Sequence, residues 1–261
     1  MYDRFIALGD SMTEGMCDDI INGHYRGWAD RVADVLANEN SQFTYLNLAI
    51  RGKLIGQVVR DQVPVALKYS EGKRTLLSFH AGANDVIRPK YNPAAVIEEY
   101  SNAVRLLATS GAQLMVFCVL ENTGENTRRA KIWQERFRIF NENVRNMAQE
   151  VNAILLDPNH DSFWQDPRFL ANDKLHLNAE GHRRVAHGVL AALSYPHDST
   201  WRDPLPGRQR PIALIRLLKD IRWFFTFAIP WIIRRLRGRS SGDGRRAKYE
   251  IPVKWPLKNN S

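Results

Sequence analysis

The feature that most restricts the fold is a regular alternation over the first 195 residues. Short apolar runs are followed by longer stretches with three- and four-residue apolar spacing. Runs of strand length stand at 5–8, 45–49, 75–79, 114–120 and 154–156. Between them, three series mark amphipathic helices: Trp28, Val32, Val35 and Leu36; Val96, Tyr100, Val104 and Leu107; and Ile132, Phe137, Phe140, Val144 and Met147. A strand that is apolar throughout is buried on both faces, and strands alternating with helices build a parallel sheet with helices packed against it. The pattern predicts an α/β chain, a three-layer α/β/α sandwich around a five-stranded parallel sheet. Ligands of such sheets sit beyond the carboxyl ends of the strands, so the residues just after each run are the candidates for function.

Charge divides the chain unevenly. Residues 202–261 hold 15 of the 37 lysines and arginines and 4 of the 28 acidic residues, which leaves 22 (37 − 15) against 24 (28 − 4) in the rest. Pro196, Pro204, Pro206 and Pro211 punctuate the change. The expected organisation is a nearly neutral domain over 1–195 and a basic extension over 196–261. Within the extension, apolar residues at 214, 218, 221, 225, 228 and 232 have helical spacing, and Arg234, Arg235, Arg237 and Arg239 follow. The apolar run over 223–233 is too short to span a bilayer and contains Pro230. Two uses are consistent with the pattern: docking on the body, or peripheral contact of 212–239 with an anionic membrane. Nucleic acid is not an expected partner, because the basic residues surround no recognisable reading module.

The two cysteines, Cys17 and Cys118, are too few for a disulfide framework and suit a reducing compartment; Cys118 lies in an apolar run and reads as a core thiol. The opening MYDRFIALGD has neither the basic start nor the long apolar run of a secretory signal. The expectation is a cytoplasmic protein, peripheral at most at the inner face of the membrane.

The first strand run ends in Gly9-Asp10-Ser11-Met12-Thr13-Glu14-Gly15. Taken alone, Ser11 reads as a helix N-cap. Three further segments change that. Asn47-Leu48-Ala49-Ile50-Arg51-Gly52-Lys53 follows the second run, His80-Ala81-Gly82-Ala83-Asn84-Asp85 follows the third, and Asn172-Asp173-Lys174-Leu175-His176-Leu177-Asn178 stands near the end of the body. In order and approximate spacing over residues 4–194, these resemble the four blocks of the SGNH (GDSL-like) hydrolases: GDS, a glycine after strand two, GxND after strand three, and DxxH. The resemblance implies a flavodoxin-like SGNH fold and a triad of Ser11, Asp173 and His176. It also implies an oxyanion hole from the Ser11 and Gly52 backbone amides and the Asn84 side-chain amide. The extension resembles those of actinobacterial cytoplasmic members, which supplies no function for it.

The chemistry fits those residue types. A serine hydroxyl needs a base to become a nucleophile, and histidine can both take and return the proton near neutrality. Asp173, three residues before His176, can accept the Nδ1 hydrogen bond and leave Nε2 for Ser11. A glycine at 52 lets backbone approach substrate closely. Alone, however, Gly52 would pass for a turn residue and Asn84 for a helix cap. Asp10 and Asp85 read as loop-organising carboxylates, His182 as structural, and His80 as a pocket-wall residue. Phe163 and Trp164 are candidates to wall an acyl or leaving-group pocket. Asp18, Asp19 and His24, or Asp157, His160 and Asp161, could be written as metal sites, but neither has a recurring ligand spacing, and no metal or cofactor is expected.

The implied function is a serine esterase acting on a small-molecule, lipid or carbohydrate ester. A thioesterase, lysophospholipase or carbohydrate O-deacetylase on the same triad is the alternative. From a different class, the chain could be an inactive binding module with a membrane-associating tail.

Overall fold

A computed structural model describes residues 1–122, 127–207, 221–230, 233 and 240–257. Its central sheet has six strands in the order β7-β6-β5-β1-β4-β8: β1 (Arg4–Gly9), β4 (Thr44–Asn47), β5 (Thr75–His80), β6 (Gln113–Phe117), β7 (Ile154–Leu156) and β8 (Tyr249–Lys254). The five expected strands are all present and parallel. The sixth, β8, lies antiparallel to β4 at the edge and corrects the expected five-stranded sheet. It comes from beyond residue 195, so the extension contributes to the body's own sheet. A separate two-stranded hairpin, β2 (Ile20–Ile21) with β3 (His24–Tyr25), was not expected from the sequence.

The strand period of two sorts the core onto two faces. Ile6, Leu8, Leu46, Leu77, Phe79, Leu114 and Val116 face α3 (Ile55–Asp61), α4 (Val63–Tyr69), α6 (Pro93–Ala108) and α7 (Arg128–Glu150). Phe5, Ala7, Tyr45, Leu76, Met115 and Phe117 face α2 (Gly27–Glu39) and α8 (Ala179–Ala192). Side-chain caps start the helices where the chain leaves the sheet: Asn92 accepts from Ala95 N, Thr127 from Ala130 N and Asn178 from Gly181 N. Because α2 covers one face between β1 and β4, and α3–α4 the other between β4 and β5, the crossovers diverge on either side of β1. The crevice at its carboxyl end is the ligand position this topology favours.

Residues 221–230 are helical, as expected. The remainder of the helix expected over 212–233, apart from residue 233, lies outside the described residues, as do Arg234, Arg235, Arg237 and Arg239. Among the described residues no helix is long and apolar enough to cross a membrane.

Candidate active site

At the end of β1 the chain turns into the short helix α1 (Ser11–Glu14), and the cap is Asp10, whose carboxylate accepts from Met12 N at 3.3 Å. The capping role open to Ser11 is therefore filled by its neighbour. Ser11, as the first helical residue, has a backbone amide with no intrahelical acceptor. Its hydroxyl meets His176 Nε2 at 2.9 Å, and His176 Nδ1 meets Asp173 Oδ2 at 2.5 Å. One tautomer satisfies both contacts, with Nδ1 donating to the carboxylate and Nε2 accepting from the serine.

Asp173 and His176 are brought together by a tight loop. Leu170 and Leu177 form an antiparallel bridge, Ala171 N donates to His176 O at 2.8 Å, and Lys174 turns the chain with φ of +58°. The other Asp173 oxygen accepts from the Leu175 and His176 amides, both at 3.0 Å. Burial alone would raise the Asp173 pKa; the His176 ring and the two amides outweigh it and hold the carboxyl below its ordinary value. The helix that follows this loop is tied to the turn after α1 through His182, fully buried in α8, whose Nε2 donates to Met16 O at 3.1 Å. Burial pushes the His182 pKa down to about 4, which keeps the ring neutral and suits the structural role expected of it.

The turn after β4 carries Gly52 at φ +74°, a left-handed conformation suited to glycine. Arg51 N donates to Glu14 Oε2 at 2.6 Å and the Arg51 guanidinium also bonds that carboxylate, which ties the turn to α1. Asn84, in α5 (Ala83–Val86) after β5, sends its amide to Asp10 Oδ2 at 2.9 Å and to Lys53 O at 3.2 Å. Both hydrogens of that amide thus have protein acceptors. Asp10 is buried, and burial raises its pKa against the opposing pull of His80, whose Nδ1 lies 3.9 Å away. Asp85 does not organise the Asn84 loop as expected. Its carboxylate accepts from Ile55 N at 3.2 Å and caps α3 from the neighbouring loop, with a pKa pushed up by burial to about 7.

Ser11, Gly52, Asn84, Asp173 and His176 thus all lie on the carboxyl-end loops around β1, and direct hydrogen bonds link Ser11, His176 and Asp173. Several neighbours were missed. Cys17 Sγ lies 3.8 Å from Asp173 Oδ2, and Trp223 Nε1 donates to Asp173 O at 2.8 Å with Lys174 Nζ 5.1 Å from its ring. Nothing in the spacing of Cys17 or Trp223 signals this proximity. Phe163 and Trp164 pack on each other, on Phe169 and, through Phe163, on Trp201; this aromatic cluster lies beneath Arg184.

Cys17, Asp173 and His176 are the one group among the described residues whose ligand atoms cluster closely enough to suit a metal. Burial and the Asp173 charge push the Cys17 thiol up to about 11, away from the thiolate a metal would take. The carboxylates of the two sites considered from sequence are held by arginines, Asp18 by Arg31 at 2.8 Å and Asp157 by Arg145 at 2.7 Å.

A family model described as the GDSL-like Lipase/Acylhydrolase family matches residues 7–184. No curated protein matches the chain in sequence. Among solved structures it is similar to LAE5, an alpha/beta hydrolase enzyme from the metagenome of Lake Arreo, Spain, with a TM-score of 0.61 at 17% identity, covering 74% of this chain and 95% of that one. The acetylxylan esterase Axe2 from Geobacillus stearothermophilus gives 0.59 at 15% identity, covering 76% and 97%. The psychrotrophic esterase EstA from Pseudoalteromonas sp. gives 0.53 at 18% identity, covering 74% and 97%. At these identities the likeness is one of fold.

Proposed function

Since the chain belongs to the GDSL-like lipase/acylhydrolase family and is an SGNH-type ester hydrolase, we propose that it cleaves a carboxylic ester through an acyl-serine intermediate on Ser11. The observation that carries this assignment is the hydrogen-bonded series Ser11 Oγ, His176 and Asp173, at 2.9 and 2.5 Å. Ser11 Oγ attacks the carbonyl carbon while His176 Nε2 takes its proton, and Asp173 stabilises the imidazolium that forms. The oxyanion meets the Ser11 and Gly52 backbone amides. Asn84 joins them by giving up the longer of its two bonds, the one to Lys53 O. Collapse expels the alcohol, protonated by His176, and a water then releases the acid by the same steps in reverse. The cycle as written calls on no cofactor or metal.

The protein is read as cytoplasmic, with peripheral contact at the inner membrane face through 212–239. Two free cysteines support the compartment. The contact is supported by a helical segment seated on the catalytic loop through Trp223, with Phe225 of the segment 64% and Leu175 of the loop 58% exposed. This surface favours an apolar, lipid-type ester over a short acyl group on a carbohydrate.

The decisive experiment is fluorophosphonate labelling of the wild type and Ser11→Ala, followed by aryl esters from acetate to palmitate. Label on the wild type alone is expected, with turnover falling by about 10⁴–10⁶ in the variant. Retained label on Ser11→Ala would move the nucleophile elsewhere. An unlabelled wild type would leave a binding module, and a strict preference for acetate would favour a deacetylase.

A further inference from the structure

We propose that Ser240 and Gly242, in the basic extension, are positioning residues that aim the Gly52 N–H at the oxyanion; the inference rests on the reading of Gly52 as an oxyanion donor. Three successive peptide planes meet in this turn, and each is held by a different partner. The Ile50–Arg51 peptide donates through Arg51 N to Glu14. The Arg51–Gly52 peptide carries the Gly52 N–H at one edge and the Arg51 carbonyl at the other, and against that carbonyl packs buried Gly242. The Gly52–Lys53 peptide accepts at Gly52 O from Ser240 Oγ at 3.2 Å. Because a peptide is planar, whatever fixes the Arg51 carbonyl also fixes the direction of the Gly52 N–H. A Cβ on Gly242 would collide with that carbonyl oxygen and come within 3.1 Å of Ile50 Cγ2.

The holding segment is itself firmly seated. Asp243 accepts from Ser240 N at 2.8 Å, and Ser240 Oγ accepts from Gly242 N at 3.2 Å, closing a compact turn. A few residues on, Lys248 enters the body with its side chain 4% exposed. Its ammonium donates to Tyr25 O at 2.8 Å, Arg26 O at 3.1 Å and the Asp30 carboxylate at 2.8 Å. Those three bonds use all three ammonium donors. Asp30 also accepts from Tyr45 OH at 2.9 Å, so neither buried charge is left uncompensated. Beyond it, β8 pairs with β4, and Trp255 Nε1 donates to Asp34 Oδ1 at 2.7 Å. The turn beside Ser11 is therefore clamped between α1 and a segment that begins 188 residues after Gly52.

The test compares Gly242→Ala and Ser240→Ala with Arg246→Ala, an exposed change in the same segment, in the full chain. An oxyanion donor is worth about 10²–10³ in turnover. Gly242→Ala, which tilts one donor, should lower kcat by about 10- to 100-fold, and Ser240→Ala, which removes one hydrogen bond, by about fivefold. KM should stay within about threefold in both, and Arg246→Ala should match the wild type. Amide hydrogen exchange over 50–53 should accelerate in the first two variants only. If Gly242→Ala fails to fold, Ser240→Ala still decides by the split between kcat and KM. Unchanged kcat in a labelled, active protein would overturn this inference alone, as would faster exchange without a loss of kcat. An unlabelled wild type would overturn the esterase assignment and this inference with it.

Discussion

The carboxylate of Asp10, one residue before Ser11, holds the side-chain amide of Asn84 at 2.9 Å. Asp10 thereby does two things at once: it caps α1 through Met12 N and orients a group that follows a neighbouring strand. Since Asn84 also donates to Lys53 O, its amide bridges the loops after β1, β4 and β5. The bond to Asp10 keeps the amide at this junction, and in the proposed reaction the longer bond, to Lys53 O, yields to the developing charge.

Replacing Asn84 by Ala should therefore lower kcat by about 10²–10³, roughly 2.7–4 kcal/mol, with a smaller change in KM. Steady-state kinetics on a soluble aryl ester measures both. An unchanged kcat with a raised KM would mean that Asn84 binds the ground state and the transition state equally.

Asp173→Asn should be less damaging than His176→Ala, because it disturbs orientation and tautomer without deleting the base. The two side chains act as one unit through the 2.5 Å bond, so the double variant should turn over little more slowly than His176→Ala alone. Fully additive losses in this cycle would show that Asp173 serves the reaction independently of the imidazole.

The body was legible because its parallel strands are apolar on both faces and its long helices repeat at 3.6 residues, as Phe5 to Leu8 and Val96 to Leu107 show. The meeting of Ser11, His176 and Asp173 was legible because they stand in compact blocks. What escaped depends on partners distant in sequence. The strand β8 reads Tyr-Glu-Ile-Pro-Val-Lys: it contains a proline, leaves Ile251 61% exposed, and pairs with residues some 200 positions earlier. Edge strands tolerate both features, and both blur the strand pattern. Likewise Lys248 and Arg51 look like ordinary surface cations in the sequence; only the fold brings each to its carboxylate, Asp30 or Glu14.

His182 makes stability depend on pH in a predictable direction. In the unfolded chain it titrates near 6.5, whereas in the fold burial lowers its pKa to about 4. Between those values the unfolded chain binds the extra proton, so stability falls as pH drops from 6.5 towards 4. A gap of this size corresponds to about 3 kcal/mol. His182→Gln retains an N–H for Met16 O but does not titrate. Urea denaturation from pH 7 to 4 should show the wild type losing ground to the variant by up to that amount. Parallel curves for the two proteins would remove His182 as the cause.

The extension gives the last prediction. If the surface around Ile221, Phe225 and Phe227 meets lipid, full-length protein should sediment with anionic vesicles and much less with neutral ones. These side chains are exposed in a helix whose Trp223 is bonded to the loop of Asp173 and His176. Each arginine near an anionic surface contributes about 1 kcal/mol, and Arg234, Arg235, Arg237 and Arg239 follow directly in sequence. Raising salt from 0.1 to 1 M shortens the Debye length from about 10 to 3 Å and should release most of the protein. Serine at 221, 225 and 227 should remove the salt-resistant remainder while sparing hydrolysis of a soluble short-chain ester. Truncation at residue 195 is the wrong control, because it would also delete β8 and the Lys248 anchor. No binding to anionic vesicles, or binding indifferent to both salt and the serine changes, would take the membrane out of the function of this surface.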